Sequence, residues 1–242
     1  MNKLMDAADL EGLTAHVEQL TAIRTLLETQ KVYADHLSDY WGRLWEYSFL
    51  IEVAGASKAM CVLDVGGTGT IFSYYLCLRG CQVWTVDIAE YKVMQADFVA
   101  RQFPQFSGIK NLWVDGQDLS VFQDGTFDRV FSVCVIEHLS SRTAQAKMMR
   151  EMVRVLVTGG ILGLTYDVLF EPLRGQTPWS ANEMGPFANP EEVHQFLIQP
   201  LAGQAVIHGN NDLFHPAKEP RERQPDTYGS IGSLFLRKVS NG

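Results

Sequence analysis

Between residues 60 and 168 the sequence alternates short apolar runs with helical patterns, and this alternation restricts the fold more than any other feature. The apolar runs lie at 60–65, 81–88, 109–116, 127–138 and 159–168. They lack the alternation of a half-exposed strand, which indicates strands buried on both faces, as in a parallel sheet covered by helices. Helical patterns at 70–79, 89–103 and 142–157 supply the connections. The sequence predicts a doubly wound, mostly parallel α/β sheet.

Both ends of the chain add elements to this centre. Two helical patterns, 9–36 and 39–55, precede it and predict an N-terminal helical cap. After residue 168 the regularity fails until a short helix at 190–203, where Pro190 suits the first turn. Two last strands, 204–209 and 230–239, predict an antiparallel pair at the edge. The expected sheet therefore has seven strands.

Charge and apolar content exclude several classes of function. The formal net charge is −8, and a nucleic-acid binder needs a basic face to replace phosphate counterions. No apolar run approaches the ~18–20 residues that a membrane span requires, and the N-terminus lacks the basic flank and apolar block of a secretory signal. We therefore expect a cytoplasmic protein that binds neither nucleic acid nor membrane and acts on a small molecule.

The four cysteines are expected to be reduced thiols in or near the core. Cys77 and Cys81 are four residues apart, but no second Cys or His pair completes a zinc site, so no metal is predicted. The histidines offer no metal spacing either. His16, His36, His194 and His208 have no partner at ligand spacing and are interpreted as structural or exposed.

Polar residues and glycines follow the predicted strands at the edge where such sheets bind ligands. Gly66, Gly67 and Gly69 let the backbone turn tightly and approach a ligand closely. Asp87 ends the second strand, 18 residues after Gly69, where a carboxylate can accept hydrogen bonds from both hydroxyls of a ribose. A ribose-bearing cofactor, an adenine nucleoside, fits this pattern. An NAD-type oxidoreductase remains an alternative, although "DVGGTGT" is not the G-x-G-x-x-G fingerprint.

Five segments in order extend this pattern: "VLDVGGTGT", "VWTVDI", "WVDGQDL", "DGTFDRVFSVCVIEHL" and "MVRVLVTGGILGLTY". Together they resemble the class I S-adenosylmethionine-dependent methyltransferases over residues 61–165. The family loop usually carries a third glycine, and here Thr68 and Thr70 depart from that pattern. Within this resemblance, the whole chain 1–242 is expected to be a single domain. Residues 1–55 form the helical cap, 56–168 the cofactor-binding core, and 169–242 the substrate-side loops, short helix and final antiparallel strands.

The resemblance implies S-adenosylmethionine as the cofactor and a set of residues that hold it. Asp87 would bind the ribose, Asp115 the adenine amino group and the Gly116 backbone the adenine ring. The full implied set is Asp64, Gly66, Gly67, Thr68, Gly69, Asp87, Ile88, Asp115, Gly116 and Cys134. Arg43 in the cap either binds the methionine carboxylate or forms a surface ion pair with no ligand contact.

The resemblance also implies an in-line methyl transfer to an O, N or C acceptor, in which the protein mainly positions the reactants. His138 is the candidate general base, and its alternative role is to hydrogen-bond within its own loop. Glu137 either orders that loop or touches the substrate. Weaker candidates are His215 and the pair Tyr166–Asp167. A non-catalytic member that binds only the cofactor or a protein partner is a further alternative.

Overall fold

The protein is described by a computed structural model that covers residues 2–3, 9–31, 41–169, 184–211, 213 and 229–240. Parts of the sequence predictions lie outside these residues. They include the end of the predicted helix 9–36, together with His36, and His215. Within the described ranges, no helix combines the length and the apolar character needed to cross a membrane.

A seven-stranded mixed sheet forms the centre of the molecule. Its strands are β1 (Cys61–Val65), β2 (Gln82–Asp87), β3 (Lys110–Trp113), β4 (Phe127–Val133), β5 (Leu156–Leu169), β6 (Ala205–Ile207) and β7 (Gly229–Lys238). Their order is β3-β2-β1-β4-β5-β7-β6, and β7 is antiparallel to both of its neighbours. The predicted fold, a doubly wound and mostly parallel sheet, is confirmed.

Helices cover both faces of this sheet. They are α1 (Asp9–Gly12), α2 (Thr14–Thr29), α3 (Trp41–Ala54), α4 (Ile71–Leu78), α5 (Glu90–Gln102), α6 (Arg142–Val155) and α7 (Pro190–Val193). Val62 of β1 belongs to one hydrophobic cluster, which includes side chains of α2, α3 and α4. Its neighbour Leu63 belongs to a second cluster, built largely on α6 and residues 193–201. Because successive side chains of a strand point to opposite faces, the two clusters lie on opposite sides of the sheet.

The fourth strand is shorter than the predicted 127–138 and ends at Val133. Cys134 has a φ of 48°, which ends the extended backbone, and a single 3₁₀ turn follows at Ile136–His138. The apolar pattern suggested a longer strand because it continues through Ile136. This side chain is buried, but it lies in the turn and not in a strand. The third strand likewise ends at Trp113, so Asp115 and Gly116 lie in the loop beyond it.

Two predicted helices are also less regular than their patterns indicate. The first breaks at Leu13, whose carbonyl accepts from the N–H groups of both His16 and Val17, and its second part ends at Thr29. The predicted helix 190–203 begins as α7 but continues as a π turn and then a 3₁₀ turn. Pro200 lacks an N–H and cannot donate to the preceding turn, which explains why regular α-helix does not continue there.

Candidate cofactor site

A cavity of about 620 Å³ opens along the carboxyl ends of β1, β2 and β4. The structure brings ten of the predicted site residues into its wall: Arg43, Asp64, Gly66, Gly67, Asp87, Ile88, Asp115, Gly116, Cys134 and His138. Apolar side chains between them, such as Val86, Val114 and Met148, give it a partly dry lining. A cavity of this size and character is typical of a small-molecule or cofactor site.

Thr68 and Gly69 stand behind the cavity rather than in its wall. The Thr68 hydroxyl is buried and donates to Thr85 Oγ1 at 2.8 Å. Thr85 donates in turn to Asn111 Oδ1 at 2.8 Å, and the Asn111 amide donates to Asp97 Oδ1 at 2.9 Å. We call these four side chains the polar relay. It ties the glycine loop, β2, β3 and α5 together, which a glycine at position 68 could not do.

The glycine loop lies tightly against its neighbours. Gly66 has a φ of +81°, and a Cβ there would meet Val135 Cγ2 at 2.6 Å. A Cβ on Gly67 would overlap the carboxylate of Asp64. Position 66 therefore requires glycine for its conformation as well as its space, and position 67 for its space alone.

Asp64, at the inner end of this loop, is fully buried. Its Oδ2 accepts from the Ser73 hydroxyl at 2.7 Å, and its Oδ1 has no hydrogen-bond partner among the described residues. Burial raises the pKa of this carboxyl to about 7, while the Ser73 hydrogen bond lowers it in part. A buried acceptor without a donor costs free energy, so the site is suited to a ligand that donates a hydrogen bond or brings a positive charge.

The other two predicted acids stand at or just beyond the ends of neighbouring strands. Asp87 is 7% exposed, and its Oδ1 accepts from Ala89 N at 2.9 Å. Asp115 follows β3, and its Oδ1 accepts from Gln117 N at 2.8 Å. Both carboxylates accept from backbone N–H groups, and both residues line the cavity. Lys92 Nζ lies 3.9 Å from Asp87 Oδ2, and Gln117 Nε2 lies 3.3 Å from each oxygen of Asp115. Asp87 is the last residue of β2, and Asp115 lies two residues beyond Trp113, the last residue of β3.

The opposite part of the cavity is bordered by a charged network from α3. Arg43 is about one third exposed and its Nη1 lies 3.0 Å from Oε2 of Glu46, which is fully buried. Oε1 of Glu46 accepts from the Cys134 thiol at 2.7 Å and from the Thr165 hydroxyl at 2.8 Å. The nearby Glu46 carboxylate raises the pKa of Arg43, so this guanidinium remains charged. The ion pair thus lies at the wall of the cavity and not on an open surface.

The aromatic residues of α3 divide between core and cavity. Trp45 stacks on Phe49 with ring centroids 4.7 Å apart, and both side chains are buried in the core. Tyr47 is buried as well but also lines the cavity beside Arg43. Tyr40 and the side chain of Trp41 lie outside the described atoms.

His138 lies at the cavity rim with an acidic pair behind it. Glu137 is fully buried, and its Oε1 accepts from the backbone N–H of Asp167 at 3.0 Å. Burial raises the pKa of Glu137 to about 8 and that of Asp167 to about 6, and the two carboxyls repel each other. The carbonyl of Glu137 accepts from Gly185 N at 3.0 Å, so this residue orders its loop. Tyr166 points into the core and is fully buried.

The Cys134 thiol, Glu137 and Asp167 could be considered for a metal ion, because one donor atom of each lies within 4.8 Å of the others. The thiol, however, donates its proton to Glu46, and burial raises its pKa well above the ordinary value. A metal ligand would have to be the thiolate. The arrangement therefore holds a proton at the sulfur and does not present a ready ligand.

Replacing Glu137 with Gln is expected to stabilise the protein relative to the wild type as the pH rises. The folded-state pKa of about 8 exceeds the ordinary 4.5, so the stability that this carboxyl supplies is fully present below 4.5 and is lost as the pH rises through 8. Gln does not titrate. We expect the unfolding free energy of Glu137→Gln minus that of wild type to increase by on the order of 2 kcal/mol between pH 6 and 9.

Urea unfolding across that pH range measures this difference. Glu151→Gln is the matched control, because its hydrogen bond with Arg154 lowers the pKa of Glu151 and leaves nothing to titrate above pH 6. A difference for Glu137→Gln that stays flat from pH 6 to 9 would show that the carboxyl is ionised throughout.

Sequence reasoning missed several residues of the cavity wall. Lys92 lies in the first turn of α5, with its Nζ 3.9 Å from Asp87 Oδ2, and Gln117 follows Asp115. Thr70, noted only as a departure from the glycine pattern, also lines the cavity. A signal was available for Lys92, since it lies in the first turn of the helix that follows Asp87 at the same edge of the sheet.

Residues 63–164 match the family model described as a methyltransferase domain. These residues form a methyltransferase domain of the class I S-adenosylmethionine-dependent type. The matched range contains the glycine loop, the three acidic positions Asp64, Asp87 and Asp115, and the turn at Cys134–His138. The resemblance inferred from the five ordered segments is thereby confirmed.

Solved structures share the fold of this methyltransferase at low identity. SpnF, a [4+2]-cyclase, is 20% identical over 80% of this chain and 80% of that chain, with a TM-score of 0.61. The geranyl diphosphate C-methyltransferase from Streptomyces coelicolor A3(2), in complex with Mg²⁺, geranyl diphosphate and S-adenosyl-L-homocysteine, is 13% identical over 86% and 89%, with a TM-score of 0.58. The N-methyltransferase NodS from Bradyrhizobium japonicum WM9 is 15% identical over 84% and 100%, with a TM-score of 0.57.

Proposed function

We propose that this methyltransferase transfers the methyl group of S-adenosylmethionine to an O, N or C atom of a small molecule. The observation that carries the proposal is the buried Asp64 oxygen, which has no partner among the described residues and lies in the wall of a cavity with two further acids on successive strand ends. Asp87 would accept hydrogen bonds from the ribose hydroxyls. Asp115 would accept from the adenine amino group, with Gly116 and Ile88 against the ring.

At the methionine end the same cavity offers charges of both signs. Asp64 Oδ1 would accept from the ligand ammonium, whose charge favours the ionised carboxylate over the neutral acid. Arg43, fixed by Glu46, would bind the ligand carboxylate. Gly66 and Gly67 would allow the backbone to approach the ligand, and Cys134 would close the wall between the two ends.

The reacting carbon would face the turn at Cys134–His138. The bound cofactor supplies a methyl group on a sulfonium leaving group, which needs no further activation. The work of the chain is then to align the acceptor and to exclude water. His138 is exposed at this rim with the Asp167 carboxylate close enough to interact electrostatically, which supports a role in accepting a proton from a hydroxyl or amine.

Several observations support a small acceptor and a cytoplasmic location. The net charge of −8 opposes a polyanionic substrate, and all four cysteines are free. The chain would function as one domain, because α3 of the cap supplies Arg43 to the cavity and one sheet contains every described strand. Residues 169–242 would border the acceptor.

Isothermal titration with S-adenosylmethionine and with S-adenosylhomocysteine tests cofactor binding. We expect dissociation constants in the micromolar range, and absence of binding at hundreds of micromolar by folded protein would refute the proposal. Titration with NADH under the same conditions addresses the oxidoreductase alternative, which requires nicotinamide binding instead.

The acceptor class needs a separate measurement. Purified protein with methyl-labelled S-adenosylmethionine and a cell extract is expected to move label into the fraction below about 1 kDa. Label found only in RNA, DNA or protein would contradict a small acceptor. Cofactor binding without label transfer to any fraction would favour a different reaction, as carried out by the [4+2]-cyclase that shares this fold.

A further inference from the structure

Among the described residues, large apolar side chains are exposed together on and beside α5. Tyr91, Met94, Phe98 and Trp113 are each 55% to 68% exposed. Trp113 Nε1 donates to the carbonyl of Ile88 at 2.9 Å, which joins the end of β3 to the start of this helix. Since large apolar and aromatic side chains each carry roughly 150–250 Å² of surface, the four together expose on the order of 500 Å². We call them the α5 patch.

Such a patch is at the upper limit of what a monomer exposes and approaches the roughly 800 Å² that each partner contributes to a stable interface. The other apolar face of α5 is buried, and its side chains are Val93, Ala96 and Val99. Tyr91, Met94 and Phe98 therefore form a second, exposed face of the same helix, with Trp113 beside it, and packing among the described residues does not cover this face.

The face is arranged so that it can pack against itself. Tyr91, Met94, Phe98 and Arg101 are spaced by three, four and three residues, which places them on one side of the helix. If two copies of α5 pack antiparallel about a two-fold axis, Met94 faces the partner's Phe98, and Tyr91 faces the partner's Arg101. The first pair is a sulfur–aromatic contact and the second a cation–π contact, and each occurs twice.

The charges at the ends of α5 are complementary in the same arrangement. Glu90 lies in the first turn and Arg101 in the last turn, and both are exposed. An antiparallel pair brings Glu90 of one copy beside the partner's Arg101, whereas a parallel pair would bring like charges together. We propose that the α5 patch is the interface of a symmetric homodimer, formed by antiparallel packing of α5 on a second copy of this chain.

Sedimentation equilibrium of the full chain between about 1 and 50 μM tests the proposal. We expect a mass of twice 27.1 kDa at the upper concentrations. Phe98→Glu places two like charges in the centre of the interface and is expected to raise the dimer dissociation constant at least 100-fold. Val121→Glu, at an apolar residue 57% exposed but outside the patch, is the matched control and is expected to leave it unchanged.

A charge swap checks the direction of packing. Arg101→Glu alone is expected to weaken the dimer about 10-fold, and the double variant Glu90→Arg/Arg101→Glu to restore it to within about threefold. Circular dichroism melts verify that each variant folds. A chain that is monomeric throughout, a dimer indifferent to Phe98→Glu, or a double variant no tighter than Arg101→Glu would overturn the proposal. A wild-type chain that associates only with a different protein would overturn it as well.

Discussion

Replacing Asp87 with Ala is expected to weaken binding of S-adenosylmethionine at least 100-fold while the protein stays folded. A carboxylate that accepts two ribose hydroxyls makes charge-assisted hydrogen bonds, each worth about 1.5–3 kcal/mol. Asp87 is the last residue of β2, accepts a hydrogen bond from Ala89 N and lies 3.9 Å from Lys92 Nζ. Both contacts are local to the start of α5, so we expect the fold to survive their loss. Isothermal titration gives the affinity, and thermal melting gives the stability.

Two further variants make this result specific. Asp87→Asn keeps the shape and the bond from Ala89 N but loses the charge, so we expect an intermediate affinity. Asp118→Ala removes a carboxylate from the same rim that does not line the cavity, and its affinity is expected to stay within twofold of wild type. Equal affinity of Asp87→Ala and wild type would remove Asp87 from the site.

Replacing Arg43 with Met is expected to damage both stability and cofactor binding. The substitution keeps an unbranched side chain in the wall but leaves the fully buried Glu46 carboxylate without its cation. Breaking a buried pair by removing one partner typically costs 3–5 kcal/mol, and the partial exposure of Arg43 reduces our expectation to about 2–4 kcal/mol. The affinity for S-adenosylmethionine is expected to fall at least 10-fold, because a charge-assisted bond to the ligand carboxylate is lost.

The double variant Arg43→Met/Glu46→Gln separates these two effects. The Gln carbonyl can still accept from the Cys134 thiol and the Thr165 hydroxyl, so most of the unfolding free energy is expected to return. The cofactor affinity is expected to stay low, because Gln cannot bind the ligand carboxylate in place of Arg43. Recovery of the affinity together with the stability would show that Arg43 acts only by neutralising Glu46. Urea unfolding and isothermal titration on the wild type, Arg43→Met, Glu46→Gln and the double variant provide the data.

The rim of the cavity follows from local sequence. Asp64, Asp87 and Asp115 come at or just beyond the ends of strands that are recognisable as apolar runs, and parallel strands bring their carboxyl ends to one edge. The glycine loop has its own local requirement, since Gly66 needs a positive φ. These features depend on the immediate neighbours in the chain, and so the sequence contains them.

The hydrogen-bond network around Glu46 could not be predicted from local sequence. Glu46 accepts from Cys134 and Thr165, which lie 88 and 119 residues away in the sequence. No periodic pattern distinguishes this glutamate from a solvated residue of an amphipathic helix, because its burial depends on a contact between the cap and two strands. The turn at Cys134 was missed for a related reason: Ile136 is apolar because of tertiary packing, and the pattern continues beyond the strand.

The exposed side chains of α5 show a second limit of prediction from sequence periodicity. The helix predicted over 89–103 forms as α5, and its buried residues are Val93, Ala96 and Val99. Tyr91 and Phe98 belong to the same apolar content, and sequence alone assigns them to the core with equal ease. Only the position of the helix relative to β2 and β3 reveals that they remain exposed.

The polar relay joins the loop behind the cofactor cavity to the helix whose outer face forms the α5 patch. Through Thr68, Thr85, Asn111 and Asp97, any displacement of α5 changes hydrogen bonds that begin at the glycine loop. If the proposed dimer forms and a bound ligand shifts α5, ligand occupancy and self-association are thermodynamically linked, and the linkage is reciprocal. Whatever factor S-adenosylmethionine contributes to tightening the pair of subunits, pairing must contribute to retention of S-adenosylmethionine, so the enzyme's apparent affinity would depend on its own concentration.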